Sequence, residues 1–160
     1  MRTRTYALAL LAFCLPGPAR AGEDSAKLFF LGSWQIASAA VAPWTPAGTT
    51  PDPTESKSLV GKNMTFEATR IKGPGLLACP KLNYEVIDST PEYLFQGAFD
   101  EMRRNDPKVD PAKLAAGLGF KPGPIKTLQT GCANELDFHF VDEKTAEFGL
   151  NNYVYTIKKQ

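Results

Sequence analysis

The chain has 160 residues, of which 18 are basic and 17 are acidic, so its formal net charge at pH 7 is +1. This balance excludes a broad cationic surface, and with it non-specific binding to nucleic acid or to anionic lipid. The chain has one histidine and three cysteines without a Cys-x-x-Cys pair. Because metal sites need several such ligands, no metal site is predicted.

The first 21 residues have the pattern of a cleaved signal peptide. Arginines near the start precede a short apolar run (6–15), and Ala19-Arg20-Ala21 then supplies a small-residue cleavage site. An apolar run of this length forms about 15 Å of helix, half of a bilayer core, so no permanent membrane span is predicted. Lipidation at Cys14 is a weaker alternative, because a large residue precedes that cysteine. We expect a secreted or periplasmic protein.

Cleavage leaves residues 22–160, which are enough for a single domain with one core. This mature chain has 15 basic and 17 acidic residues. Its two cysteines, Cys79 and Cys132, are predicted to form a disulfide, because an even pair in an exported protein is most simply a bonded pair. Two free thiols are the alternative.

The first predicted elements are a strand and a long loop. The strand covers residues 28–37, which are rich in aromatic and apolar side chains and include Gly32-Ser33-Trp34. Residues 42–58 contain four prolines among small polar residues, which excludes a central strand and predicts a loop. Trp44 lies at the start of this loop. It either packs on the rim of the fold or contacts a ligand or partner.

The middle of the chain is predicted to alternate between strands and one helix. Apolar alternation predicts strands over residues 59–71 and 76–86, and a short strand through Phe95. A charged segment follows over residues 100–110. Asp110 suits a helix N-cap and a proline follows it, so one short helix is predicted over residues 111–118.

The closing strands run from residue 125 to residue 159. Leu136, Phe138 and Phe140 alternate with polar residues, so these three are predicted to face the core. His139 falls on the opposite face and is predicted to be a surface or rim residue. The pattern as a whole predicts a mainly β fold, an antiparallel barrel of about eight strands with one short helix, in preference to a sandwich.

No arrangement of residues in the sequence predicts catalysis. No serine lies in a Gly-x-Ser-x-Gly turn, and the acidic residues on strand positions are typical of any solvated sheet face. Neither Gly73-Pro74-Gly75 nor Gly117-Leu118-Gly119 has the lysine of a phosphate-binding loop, so no cofactor is predicted. We therefore expect that the protein is not an enzyme.

Three features carry a family resemblance: the Gly32-Ser33-Trp34 triplet on a first strand, the run of antiparallel strands, and the cysteine pair. Together they resemble the lipocalin-like (calycin) barrels of secreted proteins. The resemblance implies a basic residue of the last strand over the tryptophan, here Lys158 or Lys159, although the family has arginine. The predicted helix precedes the last strand, which also departs from the family. Small periplasmic β-barrel inhibitors of lysozymes or proteases are similar in size, export and single disulfide.

A barrel of about eight strands holds one small ligand in its mouth. The predicted function is therefore the binding of a small apolar molecule. The residues predicted to contact it are Trp44, Phe66, Tyr84, Phe95 and Tyr155. The same aromatic side chains would otherwise fill the core. One alternative is a protein-interaction module, such as an inhibitor of an exported enzyme, that uses residues 42–58 or 100–110. A barrel with a structural role and no ligand is another.

Overall fold

The computed structural model describes residues 28–160, and the predicted signal peptide and Cys14 lie outside these residues. Within them, eight antiparallel strands form one sheet with the order β3-β2-β1-β8-β7-β6-β5-β4. The strands are β1 (Gly32–Val41), β2 (Asn63–Phe66), β3 (Ile71–Lys72), β4 (Glu85–Ser89), β5 (Ile125–Gln129), β6 (Asp137–Asp142), β7 (Thr145–Leu150) and β8 (Tyr153–Lys159). The α-helices are α1 (Thr54–Leu59), α2 (Leu94–Asn105) and α3 (Pro111–Gly117), and 3-10 turns cover Gly75–Leu77 and Pro91–Tyr93.

The prediction of a mainly β fold is confirmed, with two corrections. The sheet is a curled half-barrel and not a closed barrel, and the described residues contain more than one helix. The strand predicted over residues 59–71 is two short strands joined by a turn, and the one predicted over 76–86 begins as a 3-10 turn. Among residues 28–160, no helix combines the length and the apolar character that crossing a bilayer requires.

The two ends of the curled sheet are tied together by residues 79–83 and a disulfide. The backbone of Cys79 forms an isolated antiparallel β-bridge with Ile71 of β3, the strand at one end of the sheet. The N–H of Asn83 donates to the carbonyl of Thr130, just after β5 near the other end. The sulfur atoms of Cys79 and Cys132 are bonded, which confirms the predicted pair. A cross-link over 53 positions stabilises the fold by about 4 kcal/mol in the chain-entropy description.

The inner face of the sheet carries the larger core. Its aromatic side chains are packed edge to face or stacked, as in the pairs Phe66–Phe138 (ring centroids 4.9 Å apart) and Phe148–Tyr155 (5.0 Å). Leu136 and Phe140 are also buried in this core, so the predicted inward alternation of the closing strands is confirmed. These buried side chains pack against one another on the inside of the curl.

The outer face of the sheet carries a second core beneath α2 and α3. Its members come from the helices, from the loop after β1 and from the outward positions of the strands. The buried ones are Ala42, Leu94, Phe95, Phe99, Ala115, Phe120, Ile125 and Val154. The short strand predicted through Phe95 is therefore wrong, because this segment is the beginning of α2. Phe95 lies in a left-handed turn at the start of α2 and Phe99 in the helix that follows, and both pack on the apolar outer face.

The helix predicted over residues 111–118 is confirmed and ends one residue earlier, as α3. The Asp110 carboxylate accepts hydrogen bonds from the N–H groups of Ala112 and Lys113, which is the predicted N-cap. This cap satisfies donors that the first helical turn leaves unpaired. It sets the start of the helix that covers the outer core beside α2.

The proline-rich segment of residues 42–58 is held against the sheet. Its last part forms the beginning of α1, and the carboxylate of Glu55 accepts a hydrogen bond from the Tyr155 hydroxyl at 2.9 Å. The Tyr153 hydroxyl donates to the Pro51 carbonyl, and the Trp44 indole N–H donates to the Asn151 carbonyl. These contacts order the segment along its length.

Candidate functional site: a cleft on the outer face of the sheet

The structure separates the five predicted ligand residues into two groups on opposite faces of the sheet. Phe66 and Tyr155 are buried in the inner core, with 1% and 0% of their surface exposed, and Tyr84 packs against that core. Trp44 and Phe95 contact each other in the outer core, with ring centroids 5.2 Å apart. The five residues therefore do not form one site.

The prediction for His139 is wrong, because this histidine is fully buried. The alternation was correct, since His139 does point away from Phe138 and Phe140. The outward direction does not lead to solvent, however, because the beginning of α2 covers this part of the sheet. The Phe95 ring lies 4.9 Å from the imidazole ring.

Both ring nitrogens of His139 are engaged. The backbone N–H of Phe95 donates to Nε2 at 2.9 Å, so Nε2 carries no proton. The proton is then on Nδ1, which donates to the Thr127 hydroxyl oxygen at 2.9 Å. Burial lowers the pKa of His139 to about 3. The imidazole is neutral and serves as a fixed acceptor for the backbone of α2.

That backbone has an unusual conformation. Three consecutive residues, Phe95, Gln96 and Gly97, have positive φ angles of 52°, 56° and 80°. The left-handed region costs a residue with a side chain about 1–2 kcal/mol. The bond to His139 offsets part of this cost, and the Gln96 amide donates to the Glu135 carbonyl at 3.1 Å. Strained backbone is concentrated at functional sites, so the residues around this turn are candidates for a functional site.

Gly149 in β7 lets the aromatic rings lie directly on the sheet. A Cβ atom at this position would be 3.0 Å from Cη2 of Trp44 and 3.2 Å from Cδ1 of Phe95. Contacts this short force neighbouring atoms to move. The glycine therefore sets how closely the left-handed turn approaches the sheet.

A row of polar residues crosses the outer face beneath this turn. Thr127, His139, Glu147 and Thr156 lie opposite one another on β5 to β8. Glu147 is 5% exposed; its Oε1 atom accepts a hydrogen bond from Thr156 at 3.4 Å, and its Oε2 atom has no partner among the described residues. Burial raises the pKa of Glu147 to about 7.

Next to this row, a cleft of about 430 Å³ opens between α2 and the outer face of β4 to β6. Its lining residues are Ile87, Ser89, Tyr93, Gln96, Gly97, Asp100, Arg104, Gln129 and Asp137. Gln129 and Asp137 are cross-strand partners on the floor, and the strained turn forms one wall. Burial raises the pKa of Asp137, and the neighbouring Gln129 amide partly opposes that rise.

The rim of the cleft combines an aromatic ring with charged side chains. Tyr93 is 69% exposed, which is unusual for so large a ring. Arg104 donates through Nε and Nη2 to Oδ2 of Asp100, at 2.9 and 2.6 Å. Arg103 donates to the other oxygen of Asp100 at 2.7 Å. These arginines hold the pKa of Asp100 below its usual range.

Sequence reasoning missed most of this site. The shared face of Asp137 and His139 was visible in the alternation, but the partner strand and the covering helix were not. Gln129 joins Asp137 only through the register of β5 with β6, and Tyr93 reaches the cleft through a 3-10 turn. Within residues 28–160, no three His, Cys, Asp or Glu side chains are grouped as metal ligands would be.

Comparison of the chain with protein-family models, with curated proteins and with solved structures found no match. The geometry of the cleft and of the two cores therefore carries the functional argument.

Proposed function

We propose that this chain is an exported, non-enzymatic binding protein with a lipocalin-like architecture, and that it binds a small polar ligand in the outer-face cleft. The observation that carries the proposal is the cleft itself. Its floor presents the hydrogen-bonding groups of Asp137 and Gln129, and its wall is a strained turn anchored by a buried histidine. Concave sites with a few convergent polar groups and perturbed titratable residues are the usual places for ligands.

The apolar ligand expected from the sequence has less support than a polar one. Phe66 and Tyr155 contact other core side chains, and their burial leaves them little surface for a ligand. Trp44 and Phe95 are engaged with each other and with the sheet at Gly149. The aromatic residues thus have packing roles, whereas the cleft groups face open space.

The lipocalin-like part of the proposal is supported by the contacts of Trp34 on β1. The indole N–H of Trp34 donates to the carbonyl of Phe30 at 2.8 Å. The Lys159 ammonium lies 5.8 Å from the centroid of the Trp34 ring and donates to the Phe29 carbonyl. This is the position in which the resemblance expects a basic residue, with lysine in place of arginine. The Cys79–Cys132 bond supports export, because disulfides persist in oxidising compartments.

Binding is favoured over catalysis by the state of the obvious reactive groups. Both nitrogens of His139 are occupied and its ring is fully buried, so the imidazole offers no free lone pair to a substrate. Cys79 and Cys132 are bonded to each other and are not available as nucleophiles. What remains in the cleft are groups that recognise a ligand.

The test is a two-dimensional ¹H–¹⁵N NMR titration of the oxidised protein with a panel of small amines, diols, dicarboxylates, sugars and fatty acids. We expect at least one polar probe to shift the amides of Gln96, Gly97 and Asp137. The matched control is Asp88→Asn, because Asp88 is an exposed acid on β4 that pairs with Lys126 outside the cleft. Asp137→Asn should change the shifts and Asp88→Asn should not.

The proposal is wrong if fatty acids bind and shift the amides of Phe66 and Tyr155 while no polar probe shifts the cleft. It is also wrong if no probe shifts the cleft and Tyr93→Ala abolishes capture of an exported protein. That second outcome would establish the alternative, a protein-interaction module, for which an exposed tyrosine is a typical anchor.

A further inference from the structure

The charges around the cleft are not balanced. On the rim, Arg103 and Arg104 both bond to Asp100, and Arg103 is also 3.4 Å from the Glu92 carboxylate. Two guanidinium groups thus form ion pairs with two carboxylates, so their charges cancel. Asp137, on the floor, has no cationic partner among residues 28–160. The cleft therefore has one carboxylate whose charge is left uncompensated.

The surroundings of Asp137 make this carboxylate costly to keep ionised. It is partly buried, and its neighbour on β5, Gln129, is neutral. Other groups that line the cleft near the floor, such as Ser89 and Gln96, are also neutral. A carboxylate that has lost part of its water gains most from an opposite charge placed beside it.

The rim adds a second preference of the same kind. The exposed ring of Tyr93 presents a face that attracts cations, and organic cations gain more from it when they are partly desolvated. An anionic ligand would gain less at the rim, because the charges of Arg103 and Arg104 are already paired with the carboxylates of Asp100 and Glu92. A neutral ligand would leave the charge of Asp137 as it is.

We propose that the ligand of this cleft carries an alkylammonium or guanidinium group, which pairs with the Asp137 carboxylate and lies against the Tyr93 ring. This inference rests on the proposed function and names the ligand class of that site. The same chemistry is available from a free amine and from a lysine or arginine side chain of a partner protein. The shape of the cleft, with room for a short chain, suits either source.

The experiment compares three probes of similar length and different charge: 1,5-diaminopentane, 1,5-pentanediol and glutarate. Each is titrated into the oxidised protein, and the dissociation constant is taken from the amide shifts of Gln96 and Gly97. We expect the diamine to bind about tenfold or more tightly than the diol, because charge-assisted hydrogen bonds are about twice as strong as neutral ones. Glutarate should bind more weakly than the diol.

Two variants test whether Asp137 and Tyr93 cause the preference for the diamine. Asp137→Asn keeps the shape of the side chain and should remove the preference for the diamine over the diol. Tyr93→Leu changes an exposed residue and should weaken the diamine several-fold while leaving the diol unchanged. Asp88→Asn is the matched control and should leave all three affinities as they are. An unchanged pattern of distant amides verifies that each variant is folded.

Equal affinity for the diamine and the diol, with shifts at the cleft, overturns this inference and leaves the proposed function standing. No shift of the cleft amides with any of the polar probes overturns the proposed function as well. Nα-acetyl-lysine amide distinguishes the sources. If it binds more tightly than the diamine, and the diamine still binds more tightly than the diol, the cation belongs to a protein partner; if the diamine binds at least as tightly, the ligand is a free amine. Both results support the cationic chemistry.

Discussion

The two faces of the sheet bury aromatic clusters of similar character and use them differently. The inner cluster consists of apolar side chains and the disulfide, and its rings contact one another. The outer cluster lies over a buried histidine and beside a buried glutamate, under a turn with three positive φ angles. The outer face places strained backbone and a carboxyl group with a raised pKa, Asp137, next to an open cleft.

The difference separates stability from recognition. The inner core is stabilised mainly by its buried apolar area and by the close packing of its rings. Buried polar groups cost free energy unless each is paired, and His139 on the outer face is paired through both ring nitrogens. Its bond to the Phe95 N–H positions the turn, Phe95–Gly97, that forms a wall of the cleft.

The largest expected effect is on the inner face. Phe66→Ala should lower the free energy of unfolding by about 3–5 kcal/mol, because it removes a fully buried ring from a filled core. Urea denaturation followed by circular dichroism measures the loss. Under native conditions the affinity of the cleft for its best probe should be unchanged. A loss of affinity without a loss of stability would make Phe66 a ligand residue after all.

The second prediction concerns acid stability and the outer face. The pKa of His139 is lowered from 6.5 to about 3 in the folded state, so its stabilisation is complete above pH 6.5 and is lost as pH falls toward 3. Down to pH 4 the cost is on the order of 3 kcal/mol, at about 1.4 kcal/mol for each pH unit below 6.5. His139→Gln keeps an acceptor for the Phe95 N–H and removes the titration. Denaturation at pH 7 and pH 4 should show a smaller difference for this variant than for the native chain.

The comparison of the native chain with His139→Gln separates the effect of the imidazole from that of distant carboxylates, which contribute equally to both chains. Asp52, Glu67, Glu92 and Asp100 all have a lowered pKa and also destabilise the fold in acid. If His139→Gln and the native chain lose the same stability between pH 7 and pH 4, the imidazole is not the buried neutral group described above.

The third prediction has the opposite dependence on pH. Burial raises the pKa of Glu147 to about 7, so the folded state is destabilised as pH rises from 4.5 through 7. Glu147→Gln should match the native chain at pH 4 and exceed its free energy of unfolding at pH 8 by about 3 kcal/mol. The control is Glu85→Gln, an exposed acid of β4, which should have no such effect. Equal stability of the native chain and Glu147→Gln at pH 8 would contradict the burial of this carboxylate.

The fourth prediction, with the smallest expected effect, tests the strained turn by comparing alanine substitutions at two glycines. A Cβ atom at Gly97 or at Gly117 has no neighbour within 4 Å, but only Gly97 has a positive φ. Gly97→Ala should therefore destabilise the fold by about 1 kcal/mol through backbone strain alone. Gly117→Ala should be neutral or slightly stabilising, because it lies at the end of α3. Equal effects of the two changes would mean that the turn is not held in the left-handed region.

Several parts of the fold were predictable because they depend on local chemistry. The Asp110 cap and the following proline mark α3, and the alternation of Leu136, Phe138 and Phe140 marks the inner side of β6. The cysteine pair was predicted from the even count of cysteines that follow the expected signal peptide. In each of these cases a few neighbouring residues, or the compartment, are sufficient to state the structure.

The site was not predictable in the same way. Alternation states which residues share a face, but it does not state what covers that face, so His139 was assigned to solvent. Phe95 and Phe99 fit both a strand and a helix, and the choice was made by the apolar outer surface that needed covering. Gln129 and Asp137 meet through strand register, which depends on the whole sheet.

The sequence by itself thus determined the mainly β character of this protein, the inward set of its closing strands, one capped helix and the Cys79–Cys132 bond. The tertiary structure alone decided that the sheet curls without closing, that aromatic side chains cluster on its inner face, and that α2 buries His139 while leaving Asp137 at the floor of a cleft. The physical reason is that local patterns report the preferences of single segments, whereas burial and charge compensation depend on which segments pack together.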